Sequence, residues 1–204
     1  TRARVVVRVA STTRVMTDLA QPLFDPDTSR QSSMWVMAED GRRIVFRAQD
    51  AALWISDGTI SGSAMLVPGT GGDRGSISSV LLRDDALYYG FTKESGGPSL
   101  HRVDLVTKAN DVLLELNDRS GYSNFWLTDL NGAMLFLLND GHDKAELWRS
   151  DGTRSGTQRL FHFPHTSAFN DFDVAVVGTS MLLQVEDSLH GSEPWITDGT
   201  VAGT

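Results

Sequence analysis

Three stretches of this chain align without a gap: Leu53-Trp54-Ile55-Ser56-Asp57-Gly58-Thr59, Leu147-Trp148-Arg149-Ser150-Asp151-Gly152-Thr153 and Pro194-Trp195-Ile196-Thr197-Asp198-Gly199-Thr200. Their tryptophans fall at intervals of 94 and 47 residues. A fixed period of that length marks a repeat architecture, in which each supersecondary unit buries its apolar faces only against its neighbours. The doubled interval predicts a further copy centred on position 101. Leu100-His101-Arg102-Val103-Asp104 keeps the leucine and the aspartate at their offsets and lacks the tryptophan, glycine and threonine.

Four short strands fit each unit. The copy at 122–165 reads as Phe125 to Asp129, the Asn131-Gly132 hairpin signal, Ala133 to Asn139, Glu146 to Ser150, the Asp151-Gly152 turn, and Gln158 to Phe163. Copies at 33–70 and 76–117 repeat that order, and the copy at 170–204 supplies three strands. Such strands, separated by Gly, Asp and Asn and without sustained 3.6-residue periodicity, predict an all-β protein. Four antiparallel strands per period of about 47 residues is the length class of β-propeller blades, whose radial arrangement protects sheet edges. The reading is a propeller of about four blades, in which the alternating strand Arg4 to Val9 within residues 1–32 closes the last blade. Thr13 to Asp18 then forms an extra strand and Gln21 to Gln31 a long loop. The alternative is an excerpt of a larger propeller or repeat array.

The Asp-Gly-Thr element is expected to make a tight turn. Glycine accepts a positive φ, while aspartate and threonine can bond the turn's own amides. The preceding tryptophan is expected to pack between adjacent blades and to find a partner for its N–H. A binding role for Trp54, Trp148, Trp195, Asp57, Asp151 and Asp198, with the rings as sugar-stacking platforms, is the competing reading.

Glu146-Leu147-Trp148-Arg149-Ser150-Asp151-Gly152-Thr153, continued by Gly156-Thr157, resembles the bacterial Glu-Leu-Trp-x-x-Asp-Gly-Thr repeat proteins. Gly191-Ser192-Glu193-Pro194-Trp195 is similar to the Gly-x-Glu-Pro-Trp variant of that motif, and Ser63 stands where its second threonine belongs. The resemblance covers about residues 33 to 204. It implies exported, extracellular or cell-surface bacterial proteins, often with many repeats, and supplies no catalytic residues to carry over.

The balance of 18 basic and 26 acidic residues, a net charge of −8, opposes a phosphate backbone and forfeits counterion release, so nucleic acid is not an expected partner. Apolar runs such as Met134 to Leu138 are far shorter than the roughly 20 residues of a membrane-spanning helix, so membrane insertion is not expected either. With no cysteine, disulfide and thiolate chemistry are excluded. No zinc-hydrolase, nucleophile-elbow or P-loop motif occurs, and the glycines at 69, 71, 72 and 75 read as an inter-blade loop. His162 and His165 read as solvated. Asp140, Asp143 and Glu146 supply hard oxygen donors at close spacing and form a weak calcium candidate; no other cofactor is expected. The functional expectation is a non-enzymatic binding or scaffold module that presents blade loops to a protein or glycan. A hydrolase or lyase with a site at the central channel and a calcium-stabilised adhesin segment are the alternatives.

Overall fold

The computed structural model describes residues 5–9, 12–16, 35–48, 52–69, 75–93, 96–116, 124–139, 145–163, 174–187 and 191–204. All regular elements among these described residues are β-strands, and every pairing between them is antiparallel. The chain divides into two compact units, residues 1–72 with 82–85, and residues 73–81 with 86–204.

In the first unit β1 (Val5–Val9) and β2 (Thr12–Met16) form a two-stranded sheet, with Val5 opposite Met16 and Val9 opposite Thr12. From sequence this strand is expected to pair with the last blade; the partner it has within the first unit is β2. A partner two residues away along the chain costs far less loop-closure entropy than one at the far end of the sequence. The stretch Gln21 to Gln31 lies outside the described residues. The next four strands, β3 (Trp35–Glu39), β4 (Ile44–Arg47), β5 (Leu53–Ser56) and β6 (Ala64–Val67), pair in chain order. The β3–β4 turn is fixed by Asp40, whose Oδ1 accepts the N–H groups of Arg42 at 2.9 Å and Arg43 at 2.7 Å, with Gly41 at φ +79°. Arg43 Nη2 then donates to the carbonyl of Asp84 at 2.8 Å. Phe46, Ala48, Ala52 and Trp54 form one buried face, and the Phe46 and Trp54 rings lie stacked across the β4–β5 pair.

The second unit holds β7 (Gly75–Arg83, whose last two residues belong to the first unit), β8 (Ala86–Lys93), β9 (Pro98–Asp104) and β10 (Asn110–Glu115), again in chain order. It continues with β11 (Asn124–Leu130), β12 (Ala133–Asn139), β13 (Ala145–Ser150) and β14 (Gln158–Phe163), and then a three-stranded sheet of β15 (Val174–Val177), β16 (Ser180–Asp187) and β17 (Gly191–Thr197). Gly75, expected in a loop, opens β7. A Cβ there would lie 2.3 Å from the Phe91 ring, so the glycine makes room for an aromatic on the paired strand.

Within this unit the sheets pack face to face, each through unlike faces. Strand alternation puts Met134, Phe136, Leu138 and Trp148 of the β11–β14 sheet against Tyr88, Leu100 and Leu113 of the preceding sheet. It puts Leu135, Leu137 and Leu147 of the same sheet against Met181, Leu183, Val185 and Trp195 of the next. The tryptophan sides of the β11–β14 and β15–β17 sheets therefore each cover the opposite side of the sheet before. Close approach is enforced at Gly90, where a Cβ would lie 2.2 Å from the Phe125 ring. Polar tethers complete the seam: Ser79 Oγ accepts the N–H of Leu127 at 3.0 Å, Arg154 donates to the carbonyl of Val112 at 2.8 Å, and Arg149 to that of Gly199 at 3.2 Å.

Three of the sheets share a further irregularity. The ladder slips between Leu53 and Trp54, opposite Val112/Leu114 where it crosses from His101 to Leu100, and between Leu147 and Trp148. Each time the fourth strand carries one extra residue, Leu66, Leu113 or Leu160, and each of these leucines is buried. The three lie one period apart.

Phe136 is fully buried, with its ring 5.3 Å from that of Phe125 and 5.8 Å from that of Trp148. Phe136→Ala should lower stability by about 3–5 kcal/mol, read as a fall in the urea midpoint, whereas Val177→Ala at an exposed position of β15 should leave the midpoint within experimental error.

Candidate functional site

The Asp-Gly-Thr segments follow β5, β13 and β17, and the structure builds the same turn at each. Asp57, Asp151 and Asp198 each accept two bonds on one carboxylate oxygen: the backbone N–H of the threonine two residues on, at 2.8 Å, and its hydroxyl, at 2.7 Å. The threonine hydroxyl in turn accepts the N–H of Gly62 at 2.9 Å, Gly156 at 3.0 Å and Gly203 at 3.1 Å. A second relay runs alongside. The N–H of Gly58, Gly152 or Gly199 donates to the hydroxyl of Ser56, Ser150 or Thr197, and that hydroxyl meets the one on Ser63, Thr157 or Thr204 at 2.7, 2.7 and 2.8 Å. The last hydroxyl donates to the threonine carbonyl at 2.6 Å in all three copies. Ser63 therefore performs the second threonine's part, and Thr197 that of a serine; what recurs is the hydroxyl.

Both glycines of the motif have separate causes. Gly58, Gly152 and Gly199 stand at φ of +90°, +93° and +85°, the left-handed region that a Cβ disfavours. Gly62, Gly156 and Gly203 are required by crowding, because a Cβ would lie 2.0, 2.1 and 2.2 Å from the Asp57, Asp151 and Asp198 carboxylates. The threonine hydroxyl bond, aided by its backbone N–H, holds all three carboxyls below the ordinary carboxylate range. A depressed carboxyl contributes stability above its unfolded pKa and loses it as pH falls through the folded value, so these turns weaken only below about pH 4.

The tryptophans occupy a slot on the preceding strand. Trp54 stacks on Phe46 and Trp148 on Phe136, each across its strand pair, while Trp195 lies against Phe161 and Phe163 with centroids at 5.3 and 5.1 Å. Trp54 is buried and the other two are half-buried. Trp148 Nε1 donates to Glu146 Oε2 at 2.9 Å, and Arg159 donates to Glu146 Oε1 at 2.6 Å. Glu146, grouped above with Asp140 and Asp143, is thus a buried strand residue whose two oxygens serve the tryptophan and an arginine. Asp140 and Asp143 lie outside the described residues, as does His165, and among the described residues no three acidic or imidazole groups are placed to hold a metal.

The copy without tryptophan is rebuilt. His101 takes the ring position, stacked on Tyr89 with centroids 4.7 Å apart and an interplanar angle of 11°. Ser99 stands one period before Glu146, and its Oγ meets His101 Nε2 at 2.9 Å, in place of the tryptophan–glutamate bond. Ser99 Oγ also donates to the Phe91 carbonyl at 3.2 Å, and Asn110 donates to the Tyr89 hydroxyl at 2.9 Å. A serine–histidine pair at this distance is the geometry of an activated nucleophile, but Ser99 is only 2% exposed and its imidazole partner lies flat on a buried tyrosine. The pair serves the slot. Burial holds the His101 imidazole below its usual pKa, partly offset by Asn110 and the Glu115 charge. The turn changes too: Asp104 Oδ1 accepts the N–H groups of Val106 at 3.0 Å and Thr107 at 2.8 Å, and Lys108 takes φ +65°. Ser99, Tyr89 and Asn110 were not singled out from sequence; displacing the Glu146–Trp148 pair by one period would have found Ser99.

No family model matches this chain, and no curated protein matches it. Among solved structures it is similar to puromycin hydrolase, at 19% identity and a TM-score of 0.58, over 91% of this chain and 28% of that one. The S511A mutant of puromycin hydrolase complexed with PGG gives 20% identity and 0.58, over 94% and 29%. Oligopeptidase B from Leishmania major gives 13% identity and 0.53, over 84% and 26%. The chain has a β-propeller fold. It spans less than a third of the length of these neighbours.

Two outcomes are expected. Gly156→Ala should cost about 1 kcal/mol or more by expelling the Asp151 carboxylate from its bonds. The same change should be within about 0.5 kcal/mol of neutral in an Asp151→Ala background, because Gly156 needs no special φ; urea titrations of the four proteins check this. For His101, a depressed folded pKa means that stability is fully present above the unfolded value, near 6.5, and is lost as pH falls through the folded value. Thermal melts between pH 8 and 5 should show this slope, and the paired change Ser99→Glu with His101→Trp should flatten it.

Proposed function

We propose that this chain is a non-enzymatic propeller module of the Glu-Leu-Trp-x-x-Asp-Gly-Thr repeat type, displayed outside a bacterial cell to hold a protein or glycan partner. One observation carries the reading: the turn is rebuilt with the same bonds three times while the residue at its tip varies. Aspartate, threonine, the two glycines and the paired hydroxyls spend their polar groups on the turn itself. The tip residues Ile60 and Val201 are 70% and 64% exposed, and Val106 in the rebuilt turn is 76% exposed. The tip of the middle copy is Arg154, which donates to the carbonyl of Val112, so a constant frame carries tips that vary from apolar to cationic, as a rigid scaffold that offers loops to a partner would. The apolar tips Ile60 and Val201 favour a protein partner over a glycan, which would call for polar groups beside an open aromatic face.

Panning a random peptide library on the immobilised chain, beside a glycan array, tests this. Saturable ligands are expected, and Ile60→Asp with Val106→Asp and Val201→Asp should abolish their binding without moving the melting temperature. Turnover of ester, amide or glycoside substrates by the purified chain, removed by a single substitution, would instead establish a hydrolase.

A further inference from the structure

Aspartate followed by glycine is a backbone step open to cyclisation, because no Cβ shields the glycine nitrogen from the aspartate carboxyl carbon. The sequence has such steps at Asp40-Gly41, Asp57-Gly58, Asp140-Gly141, Asp151-Gly152 and Asp198-Gly199. Asp140 and Gly141 lie outside the described residues. In the reaction the glycine nitrogen gives up its proton and bonds to the aspartate Cγ, and one carboxyl oxygen leaves as water. Water then opens the succinimide ring at either carbonyl, which restores aspartate or leaves the main chain running through the side chain as isoaspartate.

Before it can attack, the nitrogen must surrender its N–H to solvent base and its peptide plane must turn toward the carboxyl group. At three of the steps the turn withholds both. Gly58, Gly152 and Gly199 donate their N–H to the hydroxyl of the residue before the aspartate, at 3.0, 3.1 and 3.0 Å. Those hydroxyls belong to Ser56, Ser150 and Thr197, all buried. The copy that lacks the hydroxyl also lacks the glycine: one period before Ser150 and Gly152 stand Val103 and Leu105.

Asp40 is bonded as Asp104 is, through the N–H groups two and three residues on. Its neighbour is nevertheless a glycine. Gly41 is exposed, a Cβ there would meet nothing within 4 Å, and its N–H has no acceptor among the described residues. Glu39, the residue before Asp40, offers no hydroxyl. Ionisation does not separate the steps. Burial, which raises the Asp40 carboxyl, is outweighed by the bonds from Arg43 and Arg42, so it too is held below its usual range.

We propose that Ser56, Ser150 and Thr197 protect their Asp-Gly steps from cyclisation, and that Asp40-Gly41 is the step among the described residues at which the folded chain forms isoaspartate. Conversion there adds a methylene to the main chain and shortens the side chain, which takes the carboxylate away from Arg42 and Arg43. Arg43, which donates to the Asp84 carbonyl, then loses the partner that orients it. This chemistry is independent of what the turn tips bind.

The test incubates the 204-residue chain at neutral pH and measures isoaspartate by peptide mapping with isoaspartyl methyltransferase labelling. In the folded chain Asp40 should convert at least about tenfold faster than Asp57, Asp151 or Asp198, the factor expected when a turn bond must open before attack. In guanidinium these four should convert at similar rates. Ser150→Ala should raise conversion at Asp151 and leave Asp57 and Asp198 unchanged, whereas Ser150→Thr, which supplies the residue found at Thr197, should keep it slow. An equal rise at all three steps in Ser150→Ala would mean general loosening and would overturn the protective role. Conversion of the three at the Asp40 rate in the folded chain would overturn it as well. An Asp40 step that stays intact in the folded chain while the unfolded chain converts would overturn the site.

Discussion

Burial of one sheet's tryptophan side against the plain side of its predecessor is the interaction on which the second unit depends. A four-stranded sheet of this size has two apolar faces and cannot satisfy both alone. The sequence of the β11–β14 sheet shows the result: β12 is buried along its whole length, with Phe136 turned to one neighbour and Leu135 and Leu137 to the other. Gly90 and the second-glycine positions are the points where this packing and its turns leave no room for a methyl group.

The turns are the complementary device. Aspartate and threonine side chains can draw the backbone into several local conformations, and here the competition is resolved by a closed circuit of bonds that only this turn completes. That circuit accounts for a motif spread over eight residues, Ser150 to Thr157, with two glycines whose needs differ in kind. It also accounts for the exchanges Thr for Ser at 197 and Ser for Thr at 63, where the hydroxyl is retained while a methyl is gained at one position and lost at the other.

The repeat length, the strand order and the turn residues were legible because each is written locally, as alternation between turn signals. Ile44 to Arg47, Leu53 to Ser56, Ala133 to Asn139 and Gln158 to Phe163 fall where the pattern puts them. The N-terminal strand is different: Val5 to Val9 reads equally well as the partner of any edge, and its choice of β2 depends on loop closure that alternation does not encode. Glu146 shows a similar limit. Near Asp140 and Asp143 in sequence, it looks like part of an acidic loop, and only strand parity turns it inward to Trp148. The leucines at 66, 113 and 160 were not singled out from sequence although they stand one period apart, because their meaning, a bulge, requires knowing which residues oppose them. His101 is the instructive departure, since Ser99 changes with it and the slot is preserved by a different pair of side chains.

Because the two faces of every sheet in the second unit are unlike, the stack has a polarity, as a column of cups does. In-frame duplication of one full period adds a sheet whose faces match those on either side of it, while reversing the order of strands within a period would set like faces together. Growth and loss by whole periods is therefore the route of change that such packing permits.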